Sequence, residues 1–115
     1  MCQKIKYLNQ TQNGMLIQCS HSENYQLIFK NLNFNLTAME LESFNVFLNK
    51  INADYWEAEY ENSIFEKKIP IPTLQANFII LIDRQELNEL IQLVNFEEKK
   101  MYLSSKDIKY VMSLN

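Results

Sequence analysis

Cys2, Cys19 and His21 carry the side chains in this sequence best suited to metal or nucleophilic chemistry, and Glu23 follows close behind. In a strand, Cys19 and His21 would project to one face, because side chains alternate with period two. A hairpin closed at Gln12-Asn13-Gly14 brings the chain near residue 4 opposite residue 20, and so draws Cys2 toward both. Cys2, Cys19 and His21 would then suit zinc, with Glu23 as a further oxygen ligand. Structural zinc usually takes four ligands from paired C-x-x-C knuckles, and Ser22 stands where the second knuckle cysteine would fall. The preferred reading is therefore plainer, with Cys19 a small core hydrophobe, His21 a loop residue and Cys2 at a frayed terminus. A Cys–His nucleophile would also need an orienting group and a pocket, and the sequence points to neither.

Two further groups invite a chemical reading. If "YWEAEYE" is a strand, Glu57, Glu59 and Glu61 share a face at intervals of about 6.5–7 Å, a spacing that a solvated outer face explains without a cation. Tyr55, Trp56 and Tyr60 form an aromatic group of the kind that concentrates binding energy, and are the expected interaction surface for a protein partner or a second copy. With one histidine in the chain, no Ser-His-Asp arrangement is credible. Asp54, Asp83 and Asp107 read as helix caps.

The elements that must position these residues are legible from period and punctuation. Apolar-rich runs either side of Asn13-Gly14 predict strands near residues 4–9 and 15–20 joined by a type I′ turn. "YQLIFK" resumes the pattern as a third strand. "NLNFNLT" alternates strictly, with Leu32, Phe34 and Leu36 on one face and asparagines on the other. Thr37 and Glu40 then form a capping box for an amphipathic helix over 38–51. Asp83 and Glu86 repeat that signature ahead of a helix carrying Leu87, Leu90, Ile91 and Val94, after a buried strand "ANFIILI". Pro70 and Pro72 confine "IFEKKIPI" to a strand that ends there or runs along an edge. A short C-terminal helix is expected over residues 105–113.

These elements predict an α+β fold: an antiparallel sheet of five to six strands with two amphipathic helices on one face. A constant offset aligns Thr37 with Asp83, Glu40 with Glu86, Leu41 with Leu87 and Leu48 with Val94. That suggests a tandem strand-strand-strand-helix duplication, with half-repeats 1–52 and 53–100 inside a single domain over residues 1–115.

Composition limits the function. With 115 residues of which 47% are hydrophobic, the chain can build one core without disulfide staples. A net charge of −3 and the absence of any basic cluster leave no electrostatic footprint for nucleic acid. The longest uninterrupted apolar run, "FIILI", is far too short for a membrane span, and "MCQKIKYLNQ" has no signal-peptide core. A cytoplasmic location is expected, with Cys2 and Cys19 as free thiols. The single glycine, Gly14, excludes glycine-rich phosphate loops, and leaves positive-φ positions to asparagine.

Residues 2–48 resemble a family of small Bacteroidota proteins known only as a domain of unknown function. The resemblance lies in Cys2, Gly14, Cys19, Gln26, Leu27, Phe29, Thr37 and Glu40. It departs at Ser22, where a knuckle cysteine is usual, and at Lys30, where a glycine is usual. The resemblance implies no activity. If relatives bind metal through those thiols, it implies here either a lost ligand or its replacement by His21. The expected function is a protein-interaction or self-associating module without catalysis or cofactor. A metal- or thiol-dependent protein built on Cys2, Cys19 and His21 with zinc is the alternative.

Overall fold

The computed structural model describes residues 4–95. A four-strand antiparallel meander comes first: β1 (Ile5–Gln10), β2 (Gly14–Cys19), β3 (Tyr25–Phe29) and β4 (Leu32–Leu36), hydrogen-bonded in that order. Helices α1 (Ala38–Lys50) and α2 (Ala53–Glu59) follow, then the separate hairpin β5 (Ile69–Pro72) and β6 (Ile79–Ile82), and last helix α3 (Arg84–Val94). The metal candidate Cys2, the expected cap Asp107 and the expected terminal helix over 105–113 lie outside the described residues.

Both helix starts follow the sequence. Thr37 Oγ1 accepts from the Glu40 amide at 3.1 Å, while the Glu40 carboxylate accepts from the Thr37 amide at 2.9 Å. Asp83 and Glu86 repeat the exchange at 2.7 and 2.9 Å. Each box satisfies two amide donors that a helix N-terminus otherwise leaves unpaired.

The expected sheet of five to six strands is divided instead, four strands in one sheet and two in another, for two physical reasons. First, "YWEAEYE" is the helix α2 and not a strand. Asn52 caps it by accepting from the Tyr55 amide at 3.1 Å. Arg84 then pairs with Asp54 and Glu57, which only a helical i, i+3 spacing brings to one guanidinium. Second, Pro70 and Pro72 have no amide hydrogen, so the ladder to β6 must run through Ile69 and Ile71, and the outer edge of β5 has nothing to donate. The second half therefore runs helix, strand, strand, helix, and shares with the first only its strand, cap and helix unit. The strand expected to be buried over "ANFIILI" is β6, of which only Ile82 is buried.

One apolar cluster joins these pieces. Leu16, Leu27 and Phe29 from one sheet face meet Leu41 and Leu48 of α1, Leu87, Leu90 and Leu93 of α3, and Ile69, Ile71 and Ile82 of the hairpin. Helix α1 also contacts β4, and α3 contacts β1 and β2. Leu16, Leu27, Phe29, Leu48, Ile69, Leu90 and Leu93 are essentially inaccessible to solvent, and at about 1.5–3 kcal/mol each they dominate the favourable side of folding.

Turn chemistry differs from the expectation in an instructive way. Among the described residues neither Asn13 nor Gly14 has a positive φ, so the first turn is not type I′; it is closed by the Thr11 amide donating to the Gly14 carbonyl at 2.9 Å. Gly14 is required for space: a Cβ there would lie 2.5 Å from the Ile28 carbonyl oxygen and 2.9 Å from Leu93 Cδ1. The one positive φ among the described residues, 54°, belongs to Lys30 in the two-residue β3–β4 turn, not to an asparagine. That is the glycine-favouring position of a tight hairpin.

Candidate functional site

Of the residues singled out for metal chemistry, Cys19 ends β2 and His21 follows it in the turn to β3. His21 is exposed in the β2–β3 turn. Cys19 pairs with Ile5 in the register of β1 and β2, and its sulfur is in a disulfide, which corrects the expectation of a free thiol. While that bond stands Cys19 has no thiolate to offer a metal or an electrophile. Cys2 lies outside the described residues. Among the described residues no three His, Cys, Asp or Glu side chains gather in an arrangement able to hold a metal ion.

Glu57, Glu59 and Glu61 do not form a row, because α2 turns them in different directions. Glu57 is taken by Arg84, whose Nη2 lies 2.8 Å from Glu57 Oε1 and 2.5 Å from Asp54 Oδ1. The guanidinium holds the Glu57 carboxyl below its usual range.

The buried ionic group among the described residues is Glu86, a residue the sequence marked only as a cap. Its side chain is buried at the start of α3, and Oε2 accepts from Lys30 Nζ at 2.6 Å and Lys67 Nζ at 2.8 Å. Burial raises its pKa, but the two ammonium groups and the bond to the Asp83 amide outweigh that and hold it down at about 2. One turn on, Glu89 accepts from Thr11 Oγ1 at 2.5 Å, the Asn13 amide at 2.7 Å and Asn13 Nδ2 at 2.8 Å. At the end of α3, Asn9 Nδ2 donates to the carbonyls of Gln92 and Leu93 at 3.0 and 3.2 Å. Helix α3 is thus pinned along its length to two hairpin turns and a strand. Glu86 and Glu89 are engaged in holding α3 in place.

The concave surface lies elsewhere. A groove of about 840 Å³ runs along β4, between α1 and the β5–β6 hairpin. Leu32, Phe34 and Leu36 line it from the strand, Phe44 from the helix, and Phe78 and Ile80 from the hairpin. Phe34 and Phe44 meet at its base with ring centroids 5.5 Å apart. Its rim is unusually apolar for exposed positions: Leu74 is fully exposed, Met39 78% and Phe78 53%.

Phe47 and Pro72 carry this groove into a second hollow of about 490 Å³, walled by Trp56, Tyr60, Pro70 and Ile79. The aromatic trio expected at an interaction surface is therefore on α2 and its C-cap. Trp56 stacks on Tyr60 at 5.7 Å and meets Tyr55 edge-on at 5.0 Å. Trp56 packs against the core, while Tyr55 faces solvent. Sequence reasoning reached Trp56 and Tyr60 but missed the larger groove. The signal that could have found it was the strictly alternating "LNFNL" beside a helix start bearing the apolar Met39.

Fold and surface together define a small α+β protein with a largely apolar groove beside β4. The chain belongs to the family described as "Family of unknown function (DUF6686)", which matches residues 1–115. No curated protein and no solved structure matches it. Among the described residues no helix is long and apolar enough to cross a membrane.

Proposed function

We propose that this protein is a non-catalytic binding module that holds an extended, apolar segment of protein chain in the groove beside β4. The observation that carries this reading is the union of an open strand edge with an apolar trough: all of Leu32–Leu36 borders a cavity of about 840 Å³. A partner strand laid there gains main-chain hydrogen bonds from the edge and burial of alternate side chains in the trough, the two terms that make strand addition work as a recognition mode. The hollow at Trp56 and Tyr60 extends the same surface and supplies aromatic anchoring. The fit is for a neutral, alternating sequence, because the lining carries one ionisable side chain, Glu40, already engaged in its capping box.

Selection of displayed random twelve-residue peptides tests this directly. Peptides are selected on the wild-type protein and counter-selected on the Met39→Asp/Phe78→Asp double variant, which changes exposed rim positions and leaves the core alone. Enrichment of peptides with apolar residues at alternate positions, lost on the double variant, is the expected result. Peptides that bind both proteins alike would remove the groove from consideration.

A further inference from the structure

Leu32-Asn33-Phe34-Asn35-Leu36, the whole of β4, reads the same in both directions. That matters at a sheet edge. A two-fold axis perpendicular to the sheet and midway between two copies of Phe34 would lay β4 antiparallel to its own copy, opposing Leu32 to Leu36, Asn33 to Asn35 and Phe34 to Phe34. Isologous pairing demands such self-complementarity, and a strand of arbitrary sequence lacks it.

The hydrogen-bond phase agrees. Phe29 and Leu32 flank a two-residue turn, so they form a hydrogen-bonded pair, and by alternation Leu27–Phe34 and Tyr25–Leu36 do too. The main-chain groups of Asn33 and Asn35 therefore point away from β3, to the side on which no described strand pairs with β4. Those are the residues that the two-fold axis opposes, so each protomer presents two donors and two acceptors to the same groups of the other. Leu32, Phe34 and Leu36 of the second copy would fall on the groove side, beside Phe44 and the exposed Met39.

Of the two edges of the four-strand sheet, β1 is protected and β4 is not, and the outer edge of β5 is protected as well. β1 carries Lys6, follows Lys4, and is broken by a bulge between Tyr7 and Asn9. β5 carries Pro70 and Pro72. Lysine, bulges and proline are the ordinary means of keeping an edge unpaired. Residues 31–37 contain no charged residue and no proline. We infer that the occupant of the β4 edge is a second copy of this chain, joined through antiparallel β4–β4 pairing about Phe34 into one continuous eight-strand sheet. This rests on the binding reading above and names its partner.

The test uses the full chain in sedimentation velocity across a concentration series. Wild type is expected to sediment as a dimer. Asn35→Pro removes an outward amide without touching the β3 ladder and is expected to raise the dimer dissociation constant by about tenfold or more, the effect of losing symmetric edge bonds. Register is tested by charge. In Asn33→Lys/Asn35→Lys every facing pair is lysine against lysine, and a monomer is expected. In Asn33→Lys/Asn35→Glu each lysine faces a glutamate, and the dimer is expected to persist. A monomeric wild type overturns the inference, as does a dimer that survives both Asn35→Pro and the double lysine variant. Peptide selection repeated on Asn35→Pro separates the two readings: if the wild type is monomeric but selected peptides still require Met39 and Phe78, the groove binds a different chain and only self-pairing falls.

Discussion

Replacing Glu86 with glutamine keeps the shape of the α3 start and removes one buried charge, and its cost is calculable from the structure. The carboxyl is held at about 2 against an ordinary value of 4.5, a gap that converts at 1.36 kcal/mol per pH unit to a ceiling of roughly 3 kcal/mol. Lys30 and Lys67 are 43% and 40% exposed, so water screens part of that attraction, and about 2 kcal/mol is the expected loss at pH 7. The sign follows from the depressed folded-state value. Stabilisation by Glu86 is fully present above pH 4.5 and is lost as pH falls toward 2, because protonation then costs the folded state more than the unfolded one. Lys67, raised by the same contact, acts oppositely: its share is present below pH 10.5 and is lost in more alkaline solution. Urea unfolding followed by Trp56 fluorescence at intervals between pH 7 and pH 2 measures both proteins. The wild type should exceed Glu86→Gln by about 2 kcal/mol at neutral pH, and the difference should shrink to well under 1 kcal/mol near pH 2. A gap that stays constant with pH, or no gap at pH 7, would refute the clasp as a source of stability.

Two other substitutions probe backbone and packing. Gly14→Ala places a methyl group 2.5 Å from a main-chain oxygen, which cannot rotate aside, so thermal unfolding should show a loss of about 1–3 kcal/mol even though alanine ordinarily favours the folded chain. Lys30→Gly relieves a positive φ at a cost of one of two ammonium groups on Glu86; the opposing effects of roughly 1 kcal/mol each should leave the melting temperature within a few degrees at pH 7 and give a gain near pH 2, where the ion pair is already lost.

Local signals in this sequence were sufficient wherever one element decided its own structure. The two capping boxes, the meander and the "LNFNL" alternation are set by residues within a few positions of one another, and all are found. The failures occur where distant residues decide. "YWEAEYE" alternates as a strand would, yet Arg84, 27 residues beyond Glu57, selects the helix by bridging two acids at i, i+3. Gly14 was legible as a glycine needed somewhere, but its reason, the approach of Leu93 from α3, is a tertiary contact no local window contains. Lys30 shows the same limit from the other side: the resemblance expects a glycine there, and the backbone adopts the glycine-favouring φ, held with a charged side chain that Glu86 engages.

The candidate surface was half legible for a related reason. Aromatic residues advertise themselves in a sequence, so Trp56 and Tyr60, which line a hollow, stand out in it, whereas an open edge is defined by what fails to pair with it. That failure is itself physical. Pro70 and Pro72 deny β5 the donors it would need to extend the meander, so the hairpin packs through Ile69, Ile71 and Ile82 into the shared core and, among the described residues, leaves the outer edge of β4 without a partner strand. An uncharged edge five residues long, unpaired among the described residues, is a hazard in a protein with no use for it, since such an edge templates unspecific association. The same chain blunts β1 with lysines and a bulge. Protection at one edge and its absence at the other are most simply reconciled if β4 is covered in the working state of the protein. The palindromic order of its side chains then favours a cover of identical sequence over any other.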